Sequence, residues 1–183
     1  MQRNLKKSGF SQNFVRRLII YGLMTLILGS AQCAFFPLID ICPATPDLIM
    51  GMLLAIALVD SVKSAAITAV CAGFFMDAIG SVGLAISPIV YFLFVLAIGA
   101  LSGKVLKSFA SFTLLLLPTA IYRGAVTLLC YTVKLGADIA ISTDTLTGII
   151  LPEMITTFLL CLPIYFIVKL CSGAFANHSR FTF

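Results

Sequence analysis

The stretch Leu18-Ile19-Ile20-Tyr21-Gly22-Leu23-Met24-Thr25-Leu26-Ile27-Leu28-Gly29-Ser30-Ala31-Gln32-Cys33-Ala34-Phe35-Phe36 carries no charged side chain. About 20 mostly apolar residues, wound as a helix, cross a hydrocarbon core ~30 Å thick with every backbone polar group paired internally. This stretch meets that requirement, and Arg3, Lys6, Lys7, Arg16 and Arg17 stand just before it. A cleaved signal peptide with Gly29-Ser30-Ala31 as its small-residue site is the competing reading. The apolar run continues through Phe35 and Phe36, beyond the length of an ordinary signal-peptide core, which argues against cleavage. Lipid attachment at Cys33 is disfavoured by the bulky Gln32 before it.

The same pattern recurs along the chain. Spans are expected at about 18–36, 46–60, 64–79, 84–102, 109–133 and 146–170. The last opens either near Leu146 or at Pro152. The expected fold is an all-α, six-helix transmembrane bundle in a single domain over 18–171. A basic N-terminal tail (1–17) and a short C-terminal tail (172–183) flank it. Thr45-Pro46-Asp47 reads as the start of the second helix, with Thr45 as N-cap, Pro46 at the first helical position and Asp47 in the first turn. The second and third segments are short, ~18–24 Å as helices, so a re-entrant hairpin stands as the alternative to two full crossings.

Composition agrees. Of 183 residues, 61% are hydrophobic and 10% charged, against roughly 25% charged in an ordinary soluble domain. The net charge of +5 does not point to nucleic acid, because nothing aromatic or groove-sized accompanies the basic residues. Their placement points to a lipid bilayer. With the N-terminus inside, Arg3, Lys6, Lys7, Arg16, Arg17, Lys63, Lys104, Lys107, Lys169 and Arg180 fall on the inner side and only Lys134 on the outer. That bias places both termini in the cytoplasm. Asp40, Asp47, Asp138 and Asp144 fall outside.

Lipid supplies no hydrophobic drive between helices, so small residues mark faces where helices approach closely. Gly22, Thr25 and Gly29 make one such stripe. Ala65, Ala69, Ala72, Gly73 and Met76 make another, and Gly99 and Gly103 form a pair at the inner end of the fourth helix. These are candidate packing or partner surfaces. Asp77, Arg123 and Glu153 lie within or at the ends of spans, where a charge is costly unless paired or hydrated. All three belong to the outer half. Asp77 is expected to cap packed helix ends beside Gly73 and Gly80, and Arg123 to pair with Glu153.

Catalysis finds little support. The single histidine, His178, stands in the C-terminal tail, so no intramembrane Ser–His or Cys–His couple is available. No metal-binding cluster, phosphate loop or cofactor motif is present. The six cysteines, Cys33, Cys42, Cys71, Cys130, Cys161 and Cys171, have no paired zinc spacing and read as small polarizable core residues.

Pro46-Asp47-Leu48 opening a short helix, then Ala72-Gly73-Phe74-Phe75-Met76-Asp77-Ala78-Ile79-Gly80-Ser81-Val82-Gly83-Leu84 followed by Pro88 and Tyr91, resembles the MreD family of rod shape-determining proteins. Leu151-Pro152-Glu153 and Leu162-Pro163-Ile164-Tyr165 resemble that family's last helix. The turn from Asp77 to Gly83 is shorter than in many members. The resemblance implies a non-catalytic scaffold in the bacterial cell membrane, binding an MreC-like membrane protein. Through it, cytoplasmic MreB filaments are linked to peptidoglycan synthases. It also implies a fold related to the substrate-binding S components of energy-coupling factor vitamin transporters, which is the rival reading. Those components carry an alanine-x-x-x-alanine patch on the first helix. Here that helix has Gly22, Gly29, Ala31 and Ala34 and no such patch.

Overall fold

A computed structural model describes residues 2–35, 46–79, 86–102, 108–135 and 151–178. Among the described residues the chain forms six helices, here α1 (Gln2–Ser30, continued by a π-helical turn over Ala31–Phe35), α2 (Leu48–Val59), α3 (Val62–Ile79), α4 (Ser87–Ser102), α5 (Phe109–Leu135) and α6 (Leu151–His178). Four segments among the described residues are long and apolar enough to cross a membrane: Phe14–Ala34, Val62–Ile79, Phe109–Thr127 and Leu151–Ser172.

The short helix α2 is the centre of the molecule. Its sequence, LIMGMLLAIALV, has no polar side chain on any face, and a helix apolar all round must be surrounded by other apolar groups. Residues 48 to 58 are all buried, and α2 touches each of the other five helices. At 12 residues it is ~18 Å long, well short of the hydrocarbon thickness. The long helices enclose it. The expectation that the second and third helices are the short pair is corrected here. Val62–Ile79 has 18 residues, whereas the shorter apolar helices are α2 and α4.

Contacts at the helix ends establish an alternating up-and-down course. Gln32, at the end of α1, meets Leu48 at the start of α2, while Arg17 meets Asp60 at the other end of α2. Gly73 in α3 lies against Pro88 in the first turn of α4, and Gly99 near the end of α4 lies against Val62 at the start of α3. Phe112 in α5 stacks on Tyr165 in α6 with ring centroids 4.8 Å apart, and Arg123 reaches Glu153 at the opposite end. One end of the bundle is therefore marked by Asp47 and the other by Asp60.

Helix boundaries move from those expected. Residues 2–17 are helical and continuous with the first apolar segment in α1, and α6 runs through Ser172 to His178. Asp47, not Thr45, is the N-cap of α2, so Pro46 precedes the helix and does not begin it. The reason is local: the Asp47 carboxylate accepts the Met50 N–H at 3.1 Å, which fixes Leu48 as the first helical residue. Thr45, Gly80, Gly83, Gly103 and the 146–150 start considered for the last helix lie outside the described residues.

Outward faces are apolar. Ile19, Leu23, Phe74, Leu93, Leu114, Leu159 and Leu170 are large, hydrophobic and more than half exposed. That pattern suits lipid and not water. Threonine hydroxyls within the helices bond to the carbonyl one turn back, as Thr25 to Tyr21, Thr68 to Ser64 and Thr119 to Leu115, at 2.7–2.8 Å, so burying them strands no donor.

Candidate functional site

The Asp47 end of α2 is built from five helices, α1, α2, α4, α5 and α6. The first N–H groups of a helix lack intrahelical partners, and here side chains from elsewhere supply them. Asp47 N–H donates to Thr157 Oγ1 of α6 and Leu48 N–H to Gln32 Oε1, in the π-helical turn ending α1, both at 3.1 Å. The Asp47 carboxylate takes the Met50 N–H through Oδ1. Its other oxygen, Oδ2, lies 3.2 Å from Arg123 Nε of α5. That nitrogen donates its hydrogen to Glu153 Oε1 at 3.1 Å, so Arg123 Nε meets Asp47 Oδ2 by charge alone, and Oδ2 has no hydrogen-bond partner among the described residues. Tyr91 of α4 is buried and close enough to interact with Asp47.

Burial makes this a demanding site. Asp47 is fully buried and Glu153 is 5% exposed, while the Arg123 side chain retains 26% exposure. A charge removed from water is stable only when paired and hydrogen-bonded. Arg123 pairs with both acids by charge and hydrogen-bonds one of them, Glu153. Glu153 also sits in the first turn of α6, where the helix dipole favours an anion.

The Asp60 end is simpler. Asp60 follows the last residue of α2 and its N–H donates to Ile56 O at 2.9 Å. Its carboxylate pairs with Arg17 Nη1 through Oδ1 and accepts the Tyr21 hydroxyl at 3.3 Å through Oδ2. Arg17 and Tyr21 stand four residues apart on α1, hence on one face. Ser61 then caps α3, its Oγ accepting from Ser64 N at 3.2 Å.

The structure thus brings Arg123 and Glu153 together and adds Asp47, which sequence reasoning placed only as a helix start. It does not join Asp77 to them. Asp77 lies in the last turn of α3 and is partly buried. Its Oδ2 has no hydrogen-bond partner among the described residues; of the glycines it was expected to stand beside, Gly73 is in α3 one turn earlier, while Gly80 and the turn to Gly83 lie outside those residues. Asp60 went unremarked in the sequence, and Arg17 was counted only as a lipid-facing charge. The signal was present: an acid ending an all-apolar segment, and an Arg-x-x-x-Tyr face on the neighbouring helix.

The glycines divide. A Cβ on Gly29 would come within 2.7 Å of the Phe75 ring, and one on Gly99 within 2.7 Å of Val62. One on Gly73 would meet the backbone of Pro88, so α3 and α4 approach there more closely than any side chain permits. Gly22 departs from the stripe: nothing lies within 4 Å of its Cβ position. Among the described residues, no group of His, Cys, Asp or Glu is arranged to hold a metal ion.

Among the described residues the protein is all-helical, with four helices long and apolar enough to span a membrane. No family model matches it, and no curated protein or solved structure does either.

Proposed function

We propose that the protein is a multi-pass, non-catalytic scaffold of the bacterial cell membrane. In this reading six helices cross the bilayer with both termini cytoplasmic. An MreC-like membrane protein is its direct partner, and MreB filaments and peptidoglycan synthases are reached through it. The reading rests on the resemblance of 46–48, 72–84, 151–153 and 162–165 to the MreD family. The observation that carries it further is the use of the internal polar groups. Asp47, Arg123, Glu153, Gln32 and Thr157 are engaged with one another or with helix ends, an arrangement suited to holding helices together. A solute site needs convergent polar groups that face a cavity.

Charge supports the orientation. Arg16, Arg17, Lys63 and Lys169 belong to the Asp60 end, with Lys169 Nζ 6.0 Å from the Tyr165 ring centroid. The positive-inside rule makes that end cytoplasmic. Single-cysteine labelling at 42, 62, 82, 104 and 140, in a cysteine-free background, should report out, in, out, in, out. Purification in mild detergent tests the function: an MreC-like protein is expected to accompany the chain. Recovery of a transporter coupling subunit, or of a tightly bound vitamin-sized ligand, would overturn the scaffold in favour of an S component.

A further inference from the structure

The Asp47 end carries two carboxylates and one guanidinium. Both acids contact the same Arg123 Nε, at 3.2 and 3.1 Å, and both are nearly sealed from the surroundings. With every group in its usual ionised form the cluster would hold one uncompensated negative charge. Among the described residues, no other Lys or Arg forms an ion pair with either acid. Lys134 stands eleven residues beyond Arg123 on α5, ~16 Å along the axis. Lys169 is farther from Glu153 along α6, and Arg17 farther from Gln32 along α1. The segments 36–45, 80–85 and 136–150 contain no Lys or Arg at all.

The groups facing the cluster from each packed helix leave the excess in place. They are Tyr91 of α4, Cys33 beyond α1 and Cys161 of α6, none of which is ordinarily cationic. The N-termini of α2 and α6 offset part of the charge. A helix dipole, however, stabilises an acid by less than burial of an unpaired carboxylate costs. Among the described residues the fully buried Asp47 Oδ2 accepts no hydrogen bond, and Tyr91, the polar side chain beside that carboxylate, brings no positive charge.

We propose that the Asp47–Arg123–Glu153 cluster is a proton-binding site, holding one proton from water as an O–H on one of its two carboxyl groups at neutral pH. A proton needs neither the volume nor the hydration of a metal cation, and the partly exposed Arg123 lies beside both acids. Losing the proton would restore the buried charge and loosen the junction of α2, α5 and α6. The site is therefore sensitive to external pH in the orientation proposed above, although proton binding itself does not depend on that orientation or on any partner.

Infrared spectroscopy of the full chain in lipid nanodiscs provides the test. The expected result is a protonated-carboxyl C=O band at neutral pH that shifts in D2O and disappears in both Asp47→Asn and Glu153→Gln, since either change leaves a neutral pair. Glu153 is the chain's only glutamate, so uniform 13C-glutamate and 13C-aspartate labelling read the same band in the unsubstituted protein if a variant fails to fold. Thermal midpoints should fall as pH rises in the wild type and fall less in the variants. Absence of the band at neutral pH, its survival in either variant, or a midpoint that follows sodium concentration and not pH would overturn the proposal.

Discussion

The two ends of α2 use the same residue types to different effect. At each, an aspartate beside the helix is met by an arginine from a surrounding helix, Arg123 for Asp47 and Arg17 for Asp60. At the Asp60 end one cation faces one anion, a tyrosine hydroxyl assists, and Arg17 is 28% exposed. At the Asp47 end one cation serves two anions, one of them fully buried. Helix polarity sharpens the contrast. Asp47 sits at the positive end of the α2 dipole and Asp60 at the negative end, so Asp60 depends on Arg17 for what Asp47 partly draws from its own helix. The Asp60 end is a charge-balanced clasp between α1 and α2. The Asp47 end joins α1, α2, α4, α5 and α6.

The largest effect is expected from Arg123→Ala. It removes the shared cation and strands two buried acids, costing about 3–5 kcal/mol if the site is dry. The level of protein in the membrane and its melting in detergent should both fall. Glu153→Ala should cost less, because Arg123 keeps Asp47, and the double variant should recover part of the loss. Additive losses in that cycle would mean that the two side chains do not interact.

Arg17→Ala should rank next. Asp60 then keeps only Tyr21, and loss of a hydrogen bond to a charged group is worth about 1.5–3 kcal/mol. If this variant melts lower than Arg123→Ala, the balanced end is the more important junction and the comparison is reversed. Tyr21→Phe removes a single hydroxyl from the Asp60 carboxylate, an expected cost of about 0.5–1.5 kcal/mol, and should be visible only as a modest shift in melting temperature.

Much of this was legible in the residues. An intramembrane arginine requires a partner, which singled out Arg123 and Glu153. Stripes of small residues required close helix contacts, and Gly29, Gly73 and Gly99 stand at such contacts. The centrality of α2 was not legible, because hydrocarbon and protein interior are both apolar and LIMGMLLAIALV suits either. Asp47 was hidden for a related reason: a Thr-Pro-Asp start offers two caps. The partly exposed arginine that pairs with the aspartate lies 76 positions further along the chain.

The smallest expected effect is the most informative about partners. α1 joins both ends of α2, touching Asp60 through Arg17 and Leu48 through Gln32. Between these anchors its outward face carries Ile19, Leu23, Leu26 and Ile27, all exposed, around Gly22. Gly22→Leu adds an apolar side chain to open space, so folding stability should change by no more than about 0.5 kcal/mol and membrane insertion should be unaffected. Gly29→Leu is the control within the same helix. Its new side chain would collide with Phe75 and Met76, and the protein should accumulate poorly. If Gly22→Leu accumulates normally yet no longer retains an MreC-like protein on purification, the outward face of α1 is a partner surface. If partner retention is unchanged, Gly22 faces lipid only, and a scaffold contact must be sought on another helix.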